Sequence, residues 1–170
     1  NLSRQIDIHK ATIHFWMDKR WAPAELIRGK LDILTRIVEC GNEHGITVCI
    51  ENLSERADSF DPAFKAIPDL RMTLDIGHGQ LLAKQNTSFR FIEEHCSRIA
   101  HVHVHDNHGG TSVKDDLHLA LGDGSVDYKA ILKALMNRGY DSTITMEVKT
   151  GDMLKTRQRL YHCLYHTGSY

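Results

Sequence analysis

The fold of this chain is indicated first by residues 46–51, which read ITVCIE. Branched apolar residues alternate there with smaller or polar ones, and a period of two is typical of a β-strand. The stretch ends in an acid, Glu51. One face of the predicted strand is therefore bulky and apolar. The other face is small or polar, and it finishes in a residue that can bind a metal ion.

The same pattern recurs in four further stretches, which end at His14, Asp75, His103 and Glu147. The residues predicted for the apolar faces are Ile13, Val48, Ile50, Leu74, Val102, Val104, Ile144 and Met146. Those predicted for the opposite faces are Thr12, His14, Thr47, Cys49, Glu51, Thr73, Asp75, His101, His103, Thr145 and Glu147. Parallel strands that pack outward on helices and inward around a shared lumen would carry two such faces, with the ligands meeting at the carboxyl ends.

Helical patterns separate these strands. The longest, residues 24–44, carries apolar residues at helical spacing and precedes Gly45, a residue typical of helix C-termini. Alternation of strand and helix predicts a parallel sheet. In a doubly wound sheet the functional residues cluster at one switch point, whereas here nearly every strand contributes one. The pattern therefore favours an α/β fold of the (β/α)8 TIM-barrel type.

The chain has 170 residues. A complete barrel needs about 250, so the chain is too short to form one. We expect a single partial TIM-barrel domain over residues 1–170 that holds the last six βα units, with the first two missing. The seventh unit is predicted to have only a short strand around residues 117–119, and residues 1–9 resemble the end of a helix. Open edge strands in such a fragment favour association, so a homo-oligomer through the barrel edges is one expectation.

Composition narrows the class of protein. The formal net charge is −1, so no overall basic field draws the chain to nucleic acid or to an anionic membrane. No apolar run approaches the roughly 20 residues of a membrane span, and no membrane partner is expected. The four cysteines have no CxxC spacing, and we expect them to be reduced in a cytoplasmic protein.

The chemistry of four predicted strand-end residues indicates a ligand set: Glu51, Asp75, His103 and Glu147 supply three carboxylates and one imidazole. Carboxylates crowded into one lumen would repel each other, and their pKa values would rise. A divalent cation resolves that conflict. Mixed oxygen and nitrogen ligands suit Mn, Co, Mg or Zn, and the sequence does not choose among these metals.

Further candidates surround this set. His78 follows Asp75 in an Asp-x-x-His motif, and Asp116 and His118 form an Asp-x-His motif. With His14 from the opposite wall, they are predicted to hold a second ion or a substrate hydroxyl.

One predicted strand carries three histidines at alternate positions. His101, His103 and His105 share a face but lie at different depths along the strand. We therefore assign only His103 to the ligand set. His105 and His108 are expected to be exposed loop residues.

Five short motifs follow one another in a recognisable order. They are Glu51-Asn52, the Leu-Asp-Ile-Gly-His of residues 74–78, the His-Val-His-Asp of residues 103–106, the loop of residues 116–124 and Met146-Glu147. Over about residues 5–150, the chain resembles the xylose-isomerase-like TIM-barrel superfamily. That superfamily includes sugar and sugar-phosphate isomerases and epimerases, hydroxypyruvate isomerase, inosose dehydratase and the endonuclease IV class of abasic-site nucleases.

The resemblance to the sugar epimerases implies a mechanism. In that branch a Glu-Asp-His-Glu quartet holds one divalent metal, and it matches Glu51, Asp75, His103 and Glu147. The two glutamates also move protons on opposite faces of the substrate, and the histidine matching His78 contacts the sugar. The implied function is a divalent-metal-dependent isomerase or epimerase. Its substrate would be a small sugar, a sugar phosphate or a hydroxy-carbonyl compound that reacts through an enediolate.

Two alternatives stay open. In endonuclease IV a trinuclear zinc cluster adds ligands that match His14, His78, Asp116 and His118, and only this branch implies nucleic acid as a partner. The Asp-x-His loop occurs in both branches, while the net charge of −1 argues mildly against a duplex binder. The other alternative is an inactive or partner-dependent barrel fragment, because six units cannot close an eight-stranded barrel alone.

Overall fold

The computed structural model describes residues 7–165. Within that range the strands are β1 (Lys10–His14), β2 (Thr47–Glu51), β3 (Arg71–Asp75), β4 (Ile99–Val104) and β5 (Thr143–Met146). The α-helices are α1 (Ala24–Glu43), α2 (Asp61–Ala66), α3 (Ser88–His95), α4 (Tyr128–Asn137) and α5 (Met153–Tyr165). Strands and helices alternate as the sequence pattern predicts.

The five strands form one parallel sheet in the order β1-β2-β3-β4-β5. Each strand therefore pairs with its neighbours in sequence, as consecutive βα units of a barrel do. The result is a half-barrel, which confirms the predicted incomplete TIM-barrel fold. Register also aligns the strand ends, since His14 pairs with Glu51 and Asp75 pairs with His103.

The outer face of the sheet packs on the helices. Val48, Ile50, Leu74, Val102 and Val104 are buried in a single apolar cluster with residues of the helices. The other predicted members of this face are partly buried against the same cluster and are Ile13, Ile144 and Met146. The predicted assignment of residues to the two faces is therefore confirmed for the apolar side.

The inner face is polar and is crossed by hydrogen bonds. The hydroxyl groups of Thr12 and Thr73 lie 2.8 Å apart. Lys10 Nζ on β1 donates to Ser142 Oγ at 2.8 Å and to Thr143 Oγ1 at 2.9 Å, next to and at the start of β5. Because one lysine side chain joins the first and last strands, the sheet must curve strongly around this lumen.

Two predicted elements, at residues 117–119 and 1–9, are not found among the described residues. Residues 117–119 do not form the predicted short strand; Leu119 makes only an isolated antiparallel bridge with Asp106. This prediction is wrong because the segment belongs to a loop that folds back on Asp106 instead of extending along β4 and β5. The helix end predicted for residues 1–9 lies mostly outside the described residues, and residues 7–9 are not helical.

Helix α1 ends as its sequence indicates. Gly45 follows the helix with a φ of 70°, in the left-handed region that glycine adopts without a steric penalty. Among the described residues, no helix is both long and apolar enough to cross a membrane. All four cysteines are free thiols.

Two glycines of α1 provide a matched test of the helix-to-sheet contact. A Cβ at Gly41 would lie 2.8 Å from the backbone oxygen of Ile46 and 2.7 Å from Val48 Cγ2, whereas a Cβ at Gly29 meets nothing within 4 Å. Gly41→Ala should therefore destabilise the fold by about 1–3 kcal/mol through overpacking. Gly29→Ala should stabilise it by about 0.5–1 kcal/mol, the usual gain in an exposed helix. Urea unfolding of both variants tests this, and a gain in stability for Gly41→Ala would contradict the close contact.

Candidate metal centre

The four predicted ligands of the first group lie at one end of the sheet. Glu51 is the last residue of β2 and Asp75 is the last of β3. His103 is on β4, in register with Asp75, and Glu147 directly follows β5. Parallel strands present their carboxyl ends on the same side, so the four side chains meet at one mouth.

One ligand atom from each of Glu51, Asp75, His103 and Glu147 lies within 4.8 Å of the others. His103 Nδ1 is 2.8 Å from a carboxylate oxygen of Glu51 and 3.0 Å from one of Glu147. It is 3.9 Å from Oδ2 of Asp75. The structure thus brings together all four members of the set.

Asp75 is fully buried and is held from both sides. Asn52 Oδ1 accepts a hydrogen bond from the Asp75 backbone N–H at 2.9 Å, and its Nδ2 donates to the Asp75 carbonyl at 2.8 Å. The His78 backbone N–H donates to Asp75 Oδ1 at 2.7 Å. Oδ2 of Asp75 is buried without a hydrogen-bond partner. A buried carboxylate oxygen without a donor is costly, and a cation beside it would remove that cost.

Asn52 is a candidate positioning residue that the sequence pattern did not indicate. It appears in the Glu51-Asn52 motif, but no pattern in the strand indicated what the amide would contact. Its two hydrogen bonds reach across 23 residues to fix the backbone of Asp75. Residues that orient a metal ligand in this way are typically required for affinity.

Charge pairing shifts the pKa values within this group. Burial alone would raise the pKa of Asp75, but the neighbouring His105 and His78 hold it well below its usual range. Burial alone would lower the pKa of His103, but the hydrogen bond to Glu51 raises it. The carboxylates and the imidazoles therefore favour each other's charged forms, and a bound cation would compete with protons for the same groups.

A second group lies beside the first and consists of His78, His105, Asp116 and His118, whose ligand atoms are again within 4.8 Å of one another. Nε2 of His78 and Nε2 of His118 are each 3.3 Å from Oδ2 of Asp116. Burial opposes charge on His78, but Asp116 and the other nearby carboxylates raise its pKa to about 9.

The orientation of two rings in this group suits metal binding. His78 Nδ1 donates to the backbone oxygen of Asn52 at 3.0 Å, and His118 Nδ1 donates to that of Glu147 at 2.7 Å. Both Nε2 atoms are consequently directed at Asp116. A histidine that binds metal usually donates its other ring N–H to a carbonyl or carboxylate in the same way.

His105 corrects the sequence-based expectation. It was predicted to be an exposed loop residue, but it is fully buried and its ring stacks on that of His118 at 4.0 Å. The expectation is wrong because the following loop covers the end of β4. Both ring nitrogens lack hydrogen-bond partners, although Nε2 lies 3.0 Å from Oδ1 of Asp75. The alternation with His103 was the signal that could have placed it in the mouth.

Two glycines make this packing feasible. A Cβ at Gly77 would lie 2.2 Å from the His105 ring, and a Cβ at Gly124 would lie 2.3 Å from Oδ1 of Asp106. His108 is exposed, as expected. The buried histidine therefore has space only because the chain carries no side chain at position 77.

His14 lies nearer to the first group than to the second. Its Nε2 is 3.4 Å from a carboxylate oxygen of Glu51, and about half of its side chain is exposed. Its ring centroid is 5.7 Å from that of His78. The structure therefore brings His78, Asp116 and His118 together with His105, while His14 contacts Glu51 and lies near the ring of His78.

The loop that carries Asp116 and His118 is anchored by a buried acid. Asp106 accepts hydrogen bonds from the backbone N–H groups of Gly122 and Val126 at 2.7 and 2.9 Å. His118 has a φ of 49°, an unusual value for a residue with a side chain. Such strain persists where the surrounding structure enforces it, and here it directs a histidine into the mouth.

The comparisons with known proteins agree with this architecture. A family model described as xylose isomerase-like TIM barrel matches residues 2–162. The chain therefore belongs to the xylose isomerase-like TIM-barrel family. The family model and the solved structures that resemble this chain confirm the resemblance to the xylose-isomerase-like superfamily that the sequence motifs indicated.

Two curated relatives come from Methanocaldococcus jannaschii and are both named as uncharacterized. MJ1614 is 31% identical over 161 residues, covering 89% of this chain and 58% of the relative. MJ1311 is 29% identical over 147 residues, covering 81% of this chain and 49% of the relative. The chain thus spans about half the length of the curated relatives it matches.

Solved structures show the same fold in several settings. A D-tagatose 3-epimerase-like protein superposes with a TM-score of 0.79 at 27% identity, covering 95% of this chain and 64% of that one. A xylose isomerase domain protein from Planctomyces limnophilus superposes with a TM-score of 0.76 at 18% identity, covering 95% of this chain and 60% of that one. An AP endonuclease of family 2 from Brucella melitensis superposes with a TM-score of 0.65 at 16% identity, covering 96% of this chain and 63% of that one. At the lower identities the likeness concerns the fold alone.

Asp75 offers a direct test of the first group. Asp75→Asn keeps the shape of the side chain but removes the buried negative charge, so affinity for Mn²⁺ or Zn²⁺ should fall by about 100-fold or more. Competition with a chromophoric chelator measures this. Asp69→Asn is the matched control, because Asp69 is exposed. Within the described residues, its side chain accepts a hydrogen bond only from Asn42. Equal affinities in the two variants would contradict metal binding at Asp75.

Proposed function

We propose that this protein is a divalent-metal-dependent isomerase or epimerase of a small sugar, sugar phosphate or related hydroxy-carbonyl compound. One observation carries the proposal: two glutamates from distant strands approach the same His103 nitrogen, Glu51 at 2.8 Å and Glu147 at 3.0 Å. With Asp75 they surround a space into which an unpartnered carboxylate oxygen points. Membership of a family with sugar epimerase neighbours supports the same reading.

Glu51, Asp75, His103 and Glu147 would hold the cation. Mn, Co, Mg and Zn all accept this donor set. When bound, the ion would supply Lewis-acid polarisation of a substrate carbonyl, which makes the neighbouring C–H bond more acidic.

The protein groups would then move protons. One of Glu51 and Glu147 takes the proton from the carbon next to the carbonyl, giving an enediolate. The other glutamate, which carries a proton at that stage, gives it to the opposite face of the same carbon in an epimerase. In an isomerase it gives the proton to the former carbonyl carbon, while the proton of the neighbouring hydroxyl passes to the former carbonyl oxygen. The two carboxylates belong to strands at different positions around the half-barrel, β2 and the end of β5, which supports proton transfer on two sides of one substrate.

His78 would bind the substrate oxygen. Its Nδ1 is committed to the carbonyl of Asn52, and the raised pKa of about 9 keeps a proton on Nε2 at neutral pH. In the structure this N–H faces Oδ2 of Asp116 at 3.3 Å, and it would exchange that partner for the substrate oxygen on which negative charge develops. We further propose that the protein works in the cytoplasm, where its four free cysteines would stay reduced.

Glu147→Gln tests the proton-transfer role. The substitution should lower kcat by about 100-fold or more, because the amide cannot accept the proton. Turnover is followed by incorporation of solvent deuterium into candidate sugars, recorded by NMR. Glu43→Gln, an exposed position at the end of α1, is the control and should keep full activity. Full activity in Glu147→Gln, with folding verified by circular dichroism, would rule the mechanism out.

A second function is favoured by one specific observation, the group of His78, His105, Asp116 and His118 beside the first site. Two or more zinc ions held at these neighbouring groups would suit phosphodiester hydrolysis at abasic sites, with metal-activated water as the nucleophile. The third possibility, a fragment that acts only with a partner, follows from the open β1 and β5 edges of the half-barrel.

Elemental analysis separates these functions. One Mn, Co or Mg per chain is expected for the isomerase, together with no cleavage of a duplex that contains an abasic site. Two or three zinc ions per chain, together with such cleavage, would assign the nuclease function instead. Size measurement on the same sample would reveal a partner-dependent assembly.

A further inference from the structure

A cavity of about 650 Å³ lies among residues of three βα loops and of helix α3. Its walls come from the loops that follow β1, β2 and β3 and from α3. Loops that follow parallel strands lie at the carboxyl end of the sheet, the end that also carries the two ligand groups. None of its lining residues belongs to either group. This volume is within the range of about 300–1,000 Å³ typical of small-molecule sites.

The cavity is lined by an excess of positive charge. Arg20, Arg56, Lys84 and Arg90 contribute to its walls, and Glu93 is its one acidic lining residue. These cations come from three separate loops or their following helix. Their convergence is therefore a property of the fold and not of a basic run in the sequence.

Two of the four cations are already paired. Arg20 contacts the buried Asp18 carboxylate at 2.6 Å. Arg90 forms ion pairs with Glu93 at 3.1 Å and with Glu94. The positive charges of both arginines are therefore largely neutralised by the acids with which they pair.

The other two cations are not paired. Within residues 7–165, the side chains of Arg56 and Lys84 form no hydrogen bond or ion pair. Two like charges facing one cavity repel each other, and a doubly charged anion between them would convert that repulsion into attraction.

Buried polar groups hold the walls in place. Glu55 is buried and accepts hydrogen bonds from the backbone N–H groups of Met17 and Leu53, both at 2.8 Å. Asn86 donates to the carbonyl of Ile76 at 2.8 Å and accepts from the Ser88 N–H at 2.9 Å. Glu55 thereby joins the loops after β1 and β2, and Asn86 fixes the conformation of the loop after β3, so these walls are held by contacts of the chain itself.

We propose that this cavity binds the phosphate group of a phosphorylated substrate, with Arg56 and Lys84 as the anion ligands. The inference rests on the proposed function and narrows its substrate to a small phosphate ester. The volume exceeds that of a phosphate ion, so the cavity also takes the part of the substrate that connects the phosphate to the reacting carbons.

A small ester fits these charges better than a nucleic acid does. A duplex binder neutralises many phosphates along an extended surface. Here the two unpaired cations are exposed residues that line a single cavity, and Glu93 and Glu94 lie next to Arg90 in its wall. Acidic groups at that position would repel the flanking phosphates of a polyanion.

The test is calorimetric binding of inorganic phosphate and of a hexose 6-phosphate to the full chain. The double variant Arg56→Gln/Lys84→Gln should bind both probes about 10-fold or more weakly, through loss of two charge-assisted contacts. The control Arg28→Gln/Lys133→Gln removes the same charge from exposed helix positions outside the cavity and should bind as the parent protein does. Equal weakening in both double variants would overturn the site.

The Asp75→Asn variant separates this site from the metal centre. It should retain phosphate binding, because Asp75 does not line the cavity. Loss of phosphate binding in Asp75→Asn, with none in the Arg56/Lys84 variant, would assign the phosphate to the metal instead. This binding test is independent of turnover, so an inactive protein that binds phosphate at Arg56 and Lys84 would contradict the proposed function but not the anion site.

Two further outcomes decide the ligand class. For the active protein, the double variant should lose kcat/KM for the phosphorylated sugar about 10-fold more than for the free sugar. Binding of an abasic-site duplex that depends on Arg56 and Lys84, without binding of either small probe, would overturn the proposal in favour of nucleic acid.

Discussion

Repulsion among the carboxylates at one end of the sheet is the constraint on which the rest of the site depends. Glu51, Asp75 and Glu147 surround His103, with ligand atoms no more than 4.8 Å apart. Like charges at such distances disfavour ionisation unless positive charge lies between them. Imidazoles of His103 and His105 contact these carboxylates in the structure, and a divalent cation is another species that matches the donor set. Both the proposed chemistry and the stability of the mouth follow from this balance.

The scaffold supports this concentration of charge by separating it from the apolar core. The outer face of each strand packs on helices, while the inner face is polar and ends in the candidate ligands. Buried groups then fix the ligands, as Asn52 does for Asp75 and as Asp106 does for the loop that bears His118. Because these contacts use rigid backbone groups, the ligand positions are set before any ion or substrate binds.

Much of the fold and of the first ligand group could be predicted from the sequence. Alternation along residues 46–51 identified both faces of a strand, and its last residue, Glu51, lies in the mouth. Predictions failed where the chain leaves regular structure. His105 is one residue beyond β4, and residues 117–119 belong to a loop tied to Asp106. Periodicity carries no information about how such a loop folds back over a strand end.

The sequence by itself determined the class of fold and the strand ends that carry ligands, because side-chain alternation is local and parallel pairing brings strand ends to one level. Only the tertiary structure decided that His105 joins Asp116, that His14 approaches Glu51, and that cations from three loops line one cavity. Those relations depend on distances between segments remote in the chain. Loop conformation and buried hydrogen bonds set such distances, and neither has a repeating signature in the sequence.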